Sequence, residues 1–292
     1  MALRPFLELI RLPAVFTAPA DVLAGAALAT WAAGAAMPWI ALGTLVAASA
    51  CIYCAGMAAN DVFDATVDAR ERPGRPIPSG RVSKAQAWAL VLVLQAAGLG
   101  LAASVGLLPL VAAAATVVAT YLYNAALKDS PVGPLAMGAC RYANACLGLA
   151  VVSAPLWPVY VVPAGTLLYV AALTTVSRYE VDGATRAQVA PSLWALWMLS
   201  ALPAVWALSG VLPILWAASA VALPLLWLAG PVRRALAEPS AGTVRGAVMA
   251  GIFGIAMVDA AIAAATGGFA LAAVIIGLLV PGKLVGRWFY AT

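Results

Sequence analysis

Asn60, Asp61, Asp64 and Asp68 place an amide and three carboxylates at the end of a long apolar segment. If a helix runs through them, spacings of three and four residues set the acids on one face. Like charges that close repel one another unless a cation stands between them. Hard oxygen donors of this kind suit Mg2+, which commonly bridges carboxylates to phosphate oxygens. Directly after the acids come Arg70, Arg72, Arg75 and the turn Pro76–Ile77–Pro78–Ser79–Gly80. Acidic metal-ligand chemistry beside a cluster of arginines fits a polyanion bridged by a metal. A solvated loop would also carry charge, but it would not need this regular spacing at a helix end. The chain has no histidine, which excludes imidazole-based nucleophile activation, imidazole proton shuttling and imidazole zinc sites.

The elements that must position these residues are membrane helices. Of 292 residues, 65% are hydrophobic and 9% charged, and the mean hydropathy is +1.00. Apolar runs long enough to cross a hydrocarbon core fall near 13–36, 39–60, 85–105, 107–127, 133–154, 157–176, 191–210, 211–230, 244–266 and 268–286. They are Ala/Leu/Val blocks rather than short alternating strands, so helices must satisfy the backbone. The fold class is therefore all-α, a polytopic helical bundle in one membrane domain over 1–292. The first run is long, follows Arg4 and Arg11 and contains an acid, and it is taken as a permanent helix rather than a removable signal. Cys51 and Cys54 have C-x-x-C spacing inside an apolar helix, without the βα context of a redox pair, and are taken as packing residues.

Lys and Arg residues fall in alternate connections, whereas the loops near 37, 106, 155, 210 and 267 carry no formal charge. The positive-inside rule makes the charged side cytoplasmic, with both termini there if ten helices cross. The net charge of +5 thus reflects topology and contact with the lipid bilayer, not binding to nucleic acid. Asp21 and Asp259 lie inside expected spans, where an ionisable side chain costs roughly 2.5–3.5 kcal/mol to insert, so each is a candidate functional residue. Arg141 can reach toward the charged site or snorkel to the interface, and Asn144, near it on the same helix, can hold a polar acceptor.

The run from Asn60 and Asp61 through Asp64, Asp68, Arg72, Arg75 and Pro78–Ser79–Gly80 resembles the first signature, N-D-x-x-D-x-x-x-D, of the UbiA superfamily of intramembrane prenyltransferases. That resemblance implies a bundle of about nine helices, giving nine to ten with the apolar runs counted above. It also implies Mg2+-dependent transfer of a prenyl group from a prenyl diphosphate donor to an aromatic or other small acceptor. Tyr121–Leu122–Tyr123–Asn124–Ala125–Ala126–Leu127–Lys128 is similar to the family's tyrosine-to-lysine segment, in which the lysine faces the diphosphate. The second acidic motif departs from the family: Ser177–Arg178–Tyr179–Glu180–Val181–Asp182–Gly183 offers only Glu180 and Asp182, and positions two apart do not share a helix face. With Cys140–Arg141–Tyr142–Ala143–Asn144, this altered motif is similar to the UbiA-like EboC branch.

The resemblance assigns Asp61, Asp64 and Lys128 to catalysis, and Asp61, Asp64, Asp68, Glu180 and Asp182 to the metal. It assigns Asn60, Arg72, Arg75, Tyr123, Arg141, Asn144, Arg178 and Tyr179 to substrate. Aromatic faces at Tyr121, Tyr123, Tyr142 or Tyr179 could stabilise a cation. The implied location is a multi-pass protein of a bacterial inner membrane with its active-site face cytoplasmic. The acceptor is unknown at this point. Two other readings fit the same residues: a non-catalytic prenyl-diphosphate binder, and a transporter of a lipid or small molecule. Metal-dependent pyrophosphate release separates the three.

Overall fold

The computed structural model describes residues 3–153, 157–203, 206 and 214–285. Its elements in chain order are α1 (Arg4–Leu9), a 3-10 turn (Leu12–Ala14), α2 (Thr17–Ala33), α3 (Trp39–Phe63), α4 (Ala65–Glu71), α5 (Lys84–Val105) and α6 (Leu107–Leu122). A π-helical turn (Tyr123–Leu127) follows, then α7 (Gly133–Leu149), a second 3-10 turn (Trp157–Tyr160), α8 (Val161–Ser177) and α9 (Arg186–Leu199). The chain continues with α10 (Ile214–Ala237), α11 (Ala241–Ala265), α12 (Phe269–Gly277) and α13 (Leu279–Val285). Among the described residues there is no strand. The expected uncharged loops near 155 and 210, and Arg287, lie outside the described residues.

Among the described residues the apolar runs are helical, with two departures from the expected bounds. The run at 133–154 stops at Leu149, and the run at 268–286 is split at Leu278 into α12 and α13. The acid-rich stretch is helical as well, because α3 pauses only at Asp64 before α4 begins. The Asp64 N–H donates to the Asn60 carbonyl at 2.9 Å and the Asp68 N–H to the Asp64 carbonyl at 2.8 Å, so helical register persists through the motif. Local sequence sets the starts of the next helices. Ser83 and Gln86 close a capping box at α5, and Thr185 and Gln188 do the same at α9.

Helices α2 and α11 form the centre of the bundle, being long, apolar and buried along most of their length. Around them pack α3, α7, α8, α10 and α12. On the outside, α5 and α6 expose Leu92, Val93, Leu107, Val111, Val118 and Leu122, an apolar face suited to lipid. Five helices among the described residues are long and apolar enough to cross a membrane, with shorter apolar helices beside them. Packing is close between α2 and α7. A Cβ on Gly25 would lie 2.4 Å from the Ala145 carbonyl oxygen, and one on Gly148 only 2.2 Å from that of Val22. Backbone therefore meets backbone there, as small residues allow in membrane bundles. Each glycine is four residues past a polar group, Asp21 on α2 and Asn144 on α7, so the same contact draws those two side chains together.

Candidate active site

The charged end of α3 opens on a cavity of about 600 Å³. Its walls come from α2, α3, α4, α6, the π turn, α7, α8 and α11, and from the turn after α8. Asn60, Asp64, Asp68, Arg72, Tyr123, Lys128, Arg141, Asn144 and Glu180 all line it. Those nine residues, picked from positions up to 120 apart, thus share one chamber. Farther in, Ile52, Val170, Leu173, Val248, Ile252 and Ile255 make its wall apolar.

The three aspartates of the motif are each matched by a base. Lys128 Nζ donates to Asp64 Oδ2, and Arg75 Nη1 donates to Asp68 Oδ2 at 2.6 Å. Asp61 is 5% exposed, and its Oδ1 accepts from Arg75 and from Arg11, both at 3.3 Å. Arg11 also donates to Asn60 Oδ1 at 3.1 Å, and Asn60 donates onward to Asn124 Oδ1 at 2.9 Å. Asp61 and Arg75 stand behind the cavity wall rather than on it, and their joint effect is to fix Arg11 and Asp68.

The π turn explains how Tyr123 and Lys128 meet on one wall. In an α-helix, residues five apart point about 140° away from each other. Here the Lys128 N–H bonds the Tyr123 carbonyl at 2.9 Å, the five-residue span of a π turn, and both side chains reach the cavity.

The second acidic stretch is not helical. After Ser177 the chain turns, setting a half-buried Glu180 on the cavity while Asp182 is left exposed. Glu180 Oε1 is buried without a hydrogen-bond partner among the described residues. Burial pushes its carboxyl above the usual glutamate range, with Arg245 and Arg72 pulling it back. Arg178 is exposed and donates to the Ser130 carbonyl at 2.8 Å, tying this turn to the connection before α7. Tyr179 packs against the main apolar core. Tyr121 is turned away from the cavity, stacked on Trp88 at 6.4 Å and edge-on to Phe63. Of the aromatic candidates, Tyr123 is the one that faces the chamber, joined by Tyr53.

At the inner end lies a buried polar knot. Asn144 donates to Asp21 Oδ2 and to the Ala18 carbonyl, each at 2.8 Å, and accepts from Ser49 at 2.7 Å. Arg141 Nη1 lies 3.1 Å from Asp21 Oδ2, close enough for an ion pair but not aligned as a hydrogen bond. Asp259, 2% exposed, brings its carboxyl beside that of Asp21.

No three acidic or thiol side chains among the described residues converge to hold a metal by themselves. The donor set nevertheless fits a hard divalent cation delivered with an anion. Asp64, Asp68 and Glu180 line the same space, one oxygen of Glu180 is unpartnered, and Arg72, with Lys128 now paired to Asp64, supplies positive charge for the anion.

Residues 22–242 match the UbiA prenyltransferase family. The chain belongs to that family. A digeranylgeranylglyceryl phosphate synthase of Methanopyrus kandleri is 39% identical over 135 residues, a stretch covering 44% of this chain and 46% of that protein. The chain thus spans less than half the length of the curated relatives it matches. Solved structures agree on the UbiA fold over nearly the whole length. One, of a digeranylgeranylglyceryl phosphate synthase, superposes with a TM-score of 0.65 at 19% identity, covering 90% of this chain and 98% of the other. A UbiA homologue from Archaeoglobus fulgidus bound to GPP and Mg2+ gives 0.61 at 16% identity, over 88% and 99% of the two chains.

Sequence reasoning missed Arg11, Asn124 and Tyr53 in this UbiA-type chamber. Arg11 counted only as a topological charge, because nothing local signals its contact 49 residues away. Asn124 was visible as part of the tyrosine-to-lysine segment, but its partner Asn60 was not.

Proposed function

We propose that this protein is an intramembrane prenyltransferase that moves a prenyl group from its diphosphate to a small nucleophilic acceptor with the help of Mg2+. One observation carries the reading: Asp64, Asp68, Glu180, Arg72 and Lys128 face one chamber whose inner wall is apolar. Asp64, Asp68 and Glu180 would hold the metal, with Asp61 acting behind them through Arg75 and Arg11. The metal, when bound, supplies Lewis-acid neutralisation of the diphosphate leaving group.

The remaining steps belong to the protein. Arg72 and Lys128 meet phosphate oxygens and stabilise the charge that grows as the allylic C–O bond breaks. Leu173, Val248, Ile252 and Ile255 take the hydrocarbon chain and keep water from the reacting carbon. The Tyr123 ring lies on the same wall as Lys128 and can face positive charge on the prenyl group. The acceptor oxygen or carbon forms the new bond and loses its proton, while pyrophosphate leaves. The relatives' name, digeranylgeranylglyceryl phosphate synthase, supports an acceptor of the prenylated glyceryl phosphate class.

The reading extends over one transmembrane domain, 1–292. The charge asymmetry of its connections supports a site open to the cytoplasmic face of the cell membrane. The test is pyrophosphate release from geranylgeranyl diphosphate by detergent-purified protein, with Mg2+ and a prenylglyceryl phosphate. Release that needs both metal and acceptor, and is lost in Asp64→Asn, is expected. Metal-dependent binding without release would make the protein a binder. No metal-dependent binding at all would overturn the diphosphate reading.

A further inference from the structure

We infer that the inner end of the chamber is the acceptor site and that it reads an uncharged hydroxyl group: Arg141 donates to the hydroxyl oxygen, the O–H donates to Asp21, and Asp259 and Asn144 hold that pair in place. The inference rests on the prenyl-transfer reading above and adds where the second substrate is held and what head group it carries. Four buried side-chain polar atoms lack a hydrogen-bond partner among the described residues, and three of them, Arg141 Nη1, Asp21 Oδ1 and Asp259 Oδ2, gather in this one knot. Such atoms are costly to leave unmatched, and more so within a membrane, so their gathering marks a place that a ligand completes. The chamber reaches it. Arg141 and Asn144 line the wall, and so do Ala18 on α2 and Ile255 on α11, one turn short of Asp21 and Asp259.

The donor has no use for these atoms. Its polar atoms all belong to the diphosphate, which Arg72 and Lys128 meet at the other end of the chamber, and the tail behind it is hydrocarbon. Hydrogen-bonding groups at the inner end therefore serve the other substrate. Their charges narrow its chemistry. Two carboxyls stand against one base there, so a carboxylate or phosphate would add an unmatched negative charge beside Asp21, and an ammonium would stand against Arg141. A hydroxyl suits both, because one oxygen accepts from a guanidinium and donates to a carboxylate. Arg141 Nη1 lies 3.1 Å from Asp21 Oδ2 without hydrogen-bond alignment, so an oxygen lodged against the guanidinium is within reach of the acid as well. Asn144 is already engaged with Ser49, Ala18 and Asp21, and it fixes the acid rather than the ligand. An acceptor of the glyceryl phosphate class offers such a hydroxyl, with its phosphate left toward the basic end of the chamber.

The test compares two uncharged probes, geranylgeranylglycerol and its dimethyl ether, which differ in whether their two end oxygens can donate a hydrogen bond. Binding to the detergent-purified protein is read by native mass spectrometry, without turnover. Wild-type protein is expected to prefer the diol by about 10-fold or more, the worth of one hydrogen bond to a charged group. Arg141→Met should bring the diol-to-ether ratio toward one. Asp259→Asn keeps a polar side chain beside Asp21 and should retain most of the preference, whereas Asp259→Leu should lose it. A variant that merely folds less well weakens both probes alike, so the ratio, read with helical content and unfolding temperature, separates recognition from stability. Mn2+-dependent binding of inorganic pyrophosphate, measured on the same samples, reports on the other end of the chamber. Equal binding of diol and ether by wild type, or a preference that survives Arg141→Met, overturns the acceptor site even where pyrophosphate binds. Wild-type protein that binds no pyrophosphate with Mn2+ overturns the diphosphate reading, and with it the assignment of this knot to a second substrate.

Discussion

Replacing Asp21 by Asn removes one negative charge from the most deeply buried ion pair among the described residues. Asp21 is 0% exposed and faces Arg141, whose side chain is 11% exposed. Breaking a buried pair by removing one partner costs about 3–5 kcal/mol, because the other charge is left uncompensated. Arg141 also lines the water-accessible chamber and the Asp259 carboxyl stands beside Asp21, two outlets for the unpaired charge that place the expected cost near the lower end, about 3 kcal/mol. At roughly 2–4 °C per kcal/mol, thermal unfolding in detergent should shift down by about 6–12 °C. The substitution keeps the side-chain shape and an oxygen that accepts from Asn144, so charge is the variable tested. The double variant Asp21→Asn with Arg141→Met removes both charges and should recover most of the loss, since neutral replacement of a buried pair is well tolerated. An Asp21→Asn protein within about 2 °C of wild type, less than the shift of a single kcal/mol, or a double variant as unstable as the single, would refute the ion-pair account of this knot.

Glu180 gives a pH signature. Burial raises its carboxyl above the ordinary glutamate range, so the folded protein holds that proton after the unfolded chain has lost it, and ionisation costs stability as pH rises through that window. Glu180→Gln should therefore raise the unfolding temperature of metal-free protein at neutral pH relative to wild type while weakening Mn2+ binding in the presence of pyrophosphate. The difference in stability should vanish below the ordinary glutamate range. A Gln variant less stable than wild type at neutral pH would contradict it. At the α2–α7 contact, Gly148→Ala places a methyl 2.2 Å from the Val22 carbonyl oxygen and must push the helices apart. Overpacking of that kind costs about 1–3 kcal/mol. Gly43→Ala, on α3 with nothing within 4 Å, is the control and should be neutral or slightly stabilising in the same melt. Equal melting shifts in the two variants would exclude close packing as the cause.

The fold was legible because each membrane crossing announces itself by length. A run of about 20 apolar residues has no other way to satisfy its backbone in lipid, so α2, α3, α5, α6 and α11 sit where hydropathy put them. What hydropathy does not encode is where a helix yields inside an apolar run. Neither the end of α7 at Leu149 nor the break at Leu278 coincides with a polar residue. Within the site, Asp61, Asp64 and Asp68 could be read from spacing because α3 and α4 keep one register through them. Glu180 and Asp182 could be read only as a poor helical pair, and the turn there resolves the matter by sending one inward and one out. The least legible feature was pairing across the bundle. The rarity of Asp21 in an apolar helix marked it, but its partners Arg141 and Asn144 are more than 100 residues away, and only the glycine contact of α2 with α7 joins them.

The π turn also bears on how this chain is to be aligned with others. Tyr123 and Lys128 are five residues apart yet share a wall, because the turn absorbs one residue beyond the α-helical count. A chain with one residue fewer here, its tyrosine and lysine four apart on an unbroken α-helix, would present the same two side chains to the same chamber. A single-residue gap between this stretch and a homologue's is therefore no sign that the pair has been lost. Counting residues from the lysine would put Asn124 opposite such a tyrosine, while in space the matching side chain is Tyr123.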